Sequence, residues 1–138
     1  MRIYKIVFLS ILLSSNVLAG TNYFNEGLSF YKNKEFDKAK FKFEQDIVFN
    51  PKNEKSYLYL SKIFNKQEKK ELEEKNLNTV ILLNPKNEEA IYNLAKLKLK
   101  DSDFEGSKKL IGKLLIICKD YCQKSNDLKI QIKKSQNK

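Results

Sequence analysis

Cys118 and Cys122 are the only thiols in the chain, and a pair standing four residues apart could exchange electrons, close a disulfide or stay free. Redox exchange of the thioredoxin kind uses two intervening residues within a strand-helix setting, and this pair has neither. In an oxidising compartment an even number of cysteines invites a structural disulfide, with free thiols as the alternative. A continuous helix would hold the pair awkwardly, so a turn is expected around Lys119-Asp120. On the chain-entropy account, so small a loop would stabilise the fold by about 2 kcal/mol, less any strain.

Other chemistry finds little to stand on. The chain has no histidine, which removes the commonest general base and the commonest metal ligand together. No serine occupies a glycine-flanked elbow, and 4 glycines leave no loop able to cradle a phosphate. Glu68, Glu71, Glu73 and Glu74 alternate with lysines, the expected look of a solvated helix face. No catalytic residue, metal ligand or cofactor site is assigned, and the expectation is a protein that is not an enzyme.

The 27 Lys and Arg outnumber the 17 Asp and Glu, for a formal charge of +10. Arg2 is the only arginine among them. Phosphate and base recognition leans on the forked guanidinium, so the surplus of lysines is read as solvated helix faces, with no nucleic-acid partner.

The positioning elements begin after an export-like leader. Arg2 and Lys5 precede the apolar run Ile6 to Leu13, and Val17-Leu18-Ala19 then offers a cleavage tripeptide before Gly20. Residues 1–19 are expected to be a signal peptide, because the run is shorter than the about 20 apolar residues that a membrane span needs. An uncleaved anchor is the alternative. Cleavage would leave 25 basic and 17 acidic residues, a charge of +8, in a chain with no stable membrane span and bound for a bacterial periplasm or beyond.

The remaining chain repeats itself. Ile47-Val48-Phe49-Asn50-Pro51-Lys52-Asn53-Glu54 returns as Ile81-Leu82-Leu83-Asn84-Pro85-Lys86-Asn87-Glu88, with Pro51 and Pro85 standing 34 residues apart. A first helix is expected from Thr21 to Asn33, with Gly27 where two helices come close, and Lys34-Glu35-Phe36 as the turn. Phe36, Ala39, Phe43 and Ile47 then recur at helical spacing until Asn50-Pro51 stops the helix. Asn53 and Asn87 are expected to cap the following helices. In the second unit Leu72, Leu77, Val80, Ile81 and Leu83 supply the apolar stripe of the second helix, and in the third Asp103-Phe104-Glu105 makes the turn. Lys119 stands where a third proline would be, so the array ends there and Tyr121 to about Lys134 forms a last amphipathic helix.

On these residues the chain resembles the tetratricopeptide repeat (TPR) family, of the secreted or periplasmic bacterial type: Tyr23, Gly27, Phe30, Ala39, Phe43 and Pro51 match its alternation of large and small positions at a 34-residue period. Asp46 and Glu73 depart from it by standing where small residues are wanted. The resemblance implies an all-α, short right-handed superhelical solenoid of antiparallel helix pairs, with units over 20–53, 54–87 and a degenerate 88–120. A capping helix and tail would fill 121–138. It also implies a non-enzymatic scaffold that binds a protein or peptide partner in the concave groove. Matching positions nominate Phe24, Leu28, Tyr31 and Lys32, then Leu58, Tyr59, Lys62, Asn65 and Lys66, then Tyr92, Asn93, Lys96, Leu99 and Lys100. Aromatic and apolar residues beside lysines suit an extended segment with acidic and apolar side chains. Relatives that clamp a C-terminal carboxylate carry lysine and asparagine where Phe24 and Leu28 stand, so that mode is not expected. A different class of reading is a basic module with weak affinity for an anionic envelope component, acidic lipid or polysaccharide.

Overall fold

A computed structural model describes residues 22–136, so the leader reading of 1–19 lies outside the described residues. The described chain is seven α-helices with no strand: α1 Tyr23–Lys32, α2 Phe36–Phe49, α3 Glu54–Lys66, α4 Lys70–Leu83, α5 Glu88–Lys100, α6 Phe104–Ile117 and α7 Cys122–Gln136. Helices α1 and α2, α3 and α4, and α5 and α6 pack as successive antiparallel pairs, and α7 lies against α6. Among the described residues no helix is long and apolar enough to cross a membrane.

Each hairpin turns on one left-handed residue. Lys34, Glu68 and Ser102 have φ of 63°, 56° and 62°. The amide after each returns to the carbonyl five residues back: Glu35 to Phe30, Lys69 to Phe64 and Asp103 to Lys98, at 2.9, 3.0 and 2.8 Å. These bonds satisfy carbonyls that a helix end leaves without partners. The first and third turns end earlier than expected: Phe36, placed both in the turn and at the head of the apolar stripe, opens α2, and Phe104 opens α6. Leu72 lies off the face that buries Glu73, Leu77 and Val80 and is 41% exposed, so it leaves the apolar stripe in which it was placed.

The links between pairs are capped as the sequence suggests. The Asn53 carboxamide accepts the Lys55 amide at 3.3 Å and that of Asn87 accepts the Ala90 amide at 3.0 Å. Asp103 caps α6 in the same way. Gly27 serves the close approach expected of it: a Cβ there would lie 2.7 Å from the Phe43 ring. Three buried apolar clusters run along the stack, centred on Phe43 and Ile63, on Leu77 and Leu94, and on Ile111 and Leu128. The last of these joins α7 to the third pair, covering a flank that water would otherwise meet.

The departures from small residues turn out to be polar pins. Asp46 is 2% exposed and accepts from Ser56 Oγ at 2.5 Å, Asn53 Nδ2 at 2.6 Å and Asn50 Nδ2 at 3.1 Å. Glu54 accepts from Asn84 Nδ2 at 2.9 Å and Asn87 Nδ2 at 3.4 Å, tying the second pair to the link that follows it. Glu88, at the equivalent position of the third pair, accepts the backbone amides of Lys119, Asp120 and Tyr121 at 2.7, 3.0 and 2.9 Å. Burial opposes charge on Glu88, but these three donors prevail and hold its pKa below the ordinary glutamate range. They belong to the loop closed by the Cys118–Cys122 disulfide, where the helical run breaks between Ile117 and Cys122.

Candidate functional site

A groove of about 600 Å³ opens along α3 and α5. Seven of the nominated residues line it: Tyr31, Lys62, Asn65, Lys66, Asn93, Lys96 and Lys100. They come together because the exposed strips of successive first helices face the same way.

The other nominated residues lie elsewhere. Phe24 and Tyr59 belong to an aromatic cluster in which Tyr59 stacks on Phe43 at 5.2 Å and meets Tyr31 edge-on at 5.0 Å. Leu58 is a correction: at 8% exposure it is core, packed with Leu77 and Leu94, because α3 is flanked by a pair on each side and this residue faces the following one. Tyr92 lies against Tyr121 at 5.4 Å, and Leu99 packs on the cluster around Ile111. Leu28 is half-buried and Lys32 exposed, and neither lines this groove.

Sequence reasoning missed two carboxylates that share the groove. Glu89 pairs with Lys62 at 2.8 Å. Glu73 does not belong to a solvated face: it is 5% exposed and reaches from α4 to accept Asn65 Nδ2 at 3.0 Å. Burial raises its pKa, and the Asn65 amide with the charges of Lys100 and Lys96 offsets this only in part. The available signal was a charged residue at a position where its equivalents are Ala39 and Ser107, both fully buried.

The cations are unequally committed. Lys62 is bound to Glu89 and lies 4.7 Å from the Tyr59 ring centroid. Lys66, Lys96 and Lys100 form no ion pair among the described residues, although Lys66 and Lys96 rest over Phe36 and Tyr92. Aromatic faces hold these ammonium groups in place while leaving their charge to be met from outside. No group of three metal-binding side chains occurs among the described residues.

The geometry defines an all-α helical-repeat solenoid with a charged groove. Solved structures place it more narrowly. The first TPR of Spaghetti (RPAP3), bound to an HSP90 peptide, is 16% identical, covers 84% of this chain and 91% of its own, and superposes at a TM-score of 0.75. The TPR2B domain of yeast Sti1 in its pHsp70 complex is 12% identical over 84% of this chain and 95% of its own, with a TM-score of 0.75. The Arabidopsis OM64 TPR domain is 16% identical over 82% and 93%, with a TM-score of 0.74. No family model and no curated protein matches the chain. The chain therefore has the tetratricopeptide-repeat fold.

Proposed function

We propose that this protein is a non-enzymatic interaction scaffold that holds an extended protein segment, rich in acidic and apolar side chains, in the groove along α3 and α5. The observation that carries this reading is the trio Lys66, Lys96 and Lys100, which form no ion pair among the described residues and of which only Lys96 and Lys100 feel the buried Glu73, beside the aromatic surface of Tyr31. Fold neighbours with bound HSP90 and Hsp70 peptides support it by analogy of fold. Glu73 adds a discriminating element, because a buried carboxylate under the groove disfavours an acidic side chain set directly above it.

Binding of labelled peptides that alternate acidic and apolar residues tests this. Affinity is expected to fall with salt and to drop roughly tenfold or more in the Lys66→Glu, Lys96→Glu variant, as reversed charges at a recognition site do. Amidating the peptide C-terminus should change nothing, since Phe24 and Leu28 occupy the carboxylate-clamp positions. Equal binding of lysine-containing peptides, or indifference to the two substitutions, would sink the proposal.

The protein is further proposed to work outside the bacterial cytoplasm. The leader-like residues 1–19 and the Cys118–Cys122 bridge support this. Intact mass of the exported product, read with and without reductant, tests both: loss of the leader and a deficit of two hydrogens are expected, and an uncut chain with free thiols would overturn it.

A further inference from the structure

The surface opposite the hairpin turns carries a second pattern at the repeat period. Val48, Leu82 and Ile116 are the penultimate residues of α2, α4 and α6, spaced by 34 residues, and are 74%, 82% and 85% exposed. Their neighbours in the same turns behave differently: Ile47, Ile81 and Leu115 pack against the core clusters. Helical periodicity thus assigns these three positions to solvent, where polar residues are the expectation, and each is a large aliphatic. One exposed aliphatic residue needs no explanation, but one at the same place in every pair makes a row.

Lysines flank the row. Lys52 and Lys86 follow Val48 and Leu82 by four residues in the links, and Lys119 follows Ile116 by three; all three are exposed and unpaired among the described residues. Lys113 lies one turn before Ile116. The acidic groups nearby are Glu44, one turn before Val48, and Asp120, while Glu54 and Glu88 spend their oxygens on the links. The edge is therefore apolar at its crest and basic around it.

The shape of the row decides the occupant. None of the three side chains lines the groove; each stands at the end of its own helix, one on each pair. A folded protein partner would need three receiving pockets at the repeat spacing, whereas a bilayer interface needs none. We infer that Val48, Leu82 and Ile116 form an edge that seats on an anionic lipid bilayer, the aliphatic tips entering the headgroup boundary and Lys52, Lys86 and Lys119 meeting the anionic headgroups. The groove stays open on such a surface, because Lys66 and Lys100 stand in the last turns of α3 and α5, at the opposite, hairpin end.

The chain has no tryptophan, so a single introduced one reports its own surroundings. Leu82→Trp, with Asn126→Trp on α7 as control, would be titrated as full chain with vesicles of phosphatidylglycerol and phosphatidylcholine, and with phosphatidylcholine alone. Emission from Leu82→Trp is expected to shift to the blue with the anionic vesicles only, and emission from Asn126→Trp to stay put. This local reading separates the row from residues 6–13, whose apolar run could bind vesicles by itself. In sedimentation with anionic vesicles, with Val7→Ser, Leu9→Ser and Leu12→Ser in both chains to remove the apolar run of the leader, the added triple variant Val48→Ser, Leu82→Ser, Ile116→Ser is expected to bind roughly tenfold or more weaker at an unchanged melting temperature, since it removes apolar area already in water. No shift at Leu82→Trp, an equal shift with neutral vesicles, or undiminished binding of the triple variant would overturn the inference. A shift produced only by added envelope protein would do the same, by showing that a protein covers the row. None of these outcomes touches the groove reading, whose lysines are not altered.

Discussion

The first two links have the same four residues, Asn-Pro-Lys-Asn at 50–53 and at 84–87, and the chain fastens them differently. In the first, both asparagine amides turn inward to Asp46, which the preceding helix supplies and Ser56 completes. In the second, the helix supplies Val80 at the equivalent position and Ala90 replaces the serine, so the two amides find Glu54 of the neighbouring pair. An identical loop thus acts as an internal pin in one place and a clasp between pairs in the other. The loop sequence sets the turn, and the helix positions around it set what the turn holds.

Val80→Asp breaks the comparison hardest. It replaces a fully buried valine with a carboxylate whose would-be donors are already engaged by Glu54, and the expected loss is about 4 kcal/mol in chemical denaturation. Adding Ala90→Ser restores the third donor and should recover about 1 kcal/mol. If Val80→Asp is tolerated without it, the two links are interchangeable and the comparison fails. Asp46→Ala comes next: three donors lose a buried carboxylate, for an expected cost of about 3 kcal/mol, with hydrogen exchange rising first around Asn50 to Ser56. Glu54→Ala should cost only about 1 kcal/mol, because its partners in the second link are partly exposed and accept water instead.

The third link gives the gentlest effect, read by pH. Glu88 has a pKa lowered in the folded state by three amides, so its contribution is present above the unfolded glutamate pKa and is lost as pH falls through the folded value. Protection of the Lys119, Asp120 and Tyr121 amides, taken as the intrinsic exchange rate at each pH over the observed one, should therefore fall on acidification in that window, and Glu88→Gln should remove this dependence. An unchanged pH profile in Glu88→Gln would place the effect on another carboxylate.

Much of the fold was legible because it rests on local signals: the 34-residue phrase, the proline stops, the asparagine caps and the apolar stripes. The hairpin turns were harder to place, since Lys34, Glu68 and Ser102 adopt left-handed geometry without the glycine that usually advertises it. Asp46 and Glu73 stood out as departures, but their roles depend on Ser56, ten residues after the one, and Asn65, eight residues before the other, visible only once the helices are packed. The groove shows the same division. Lys62, Asn65 and Lys96 follow from repeat register along the first helices, whereas Glu73 arrives from α4 and Leu58 is claimed by the next pair.

The clasps from Glu54 and Glu88 each reach forward to the next link and no further. Under tension applied at its ends, such a chain behaves as a zip fastener and not as a single knot. Pulled in an optical trap, it should lengthen in successive short steps, one per helix pair, and the segment between Cys118 and Cys122 should add no length to the last of them until a reductant is supplied.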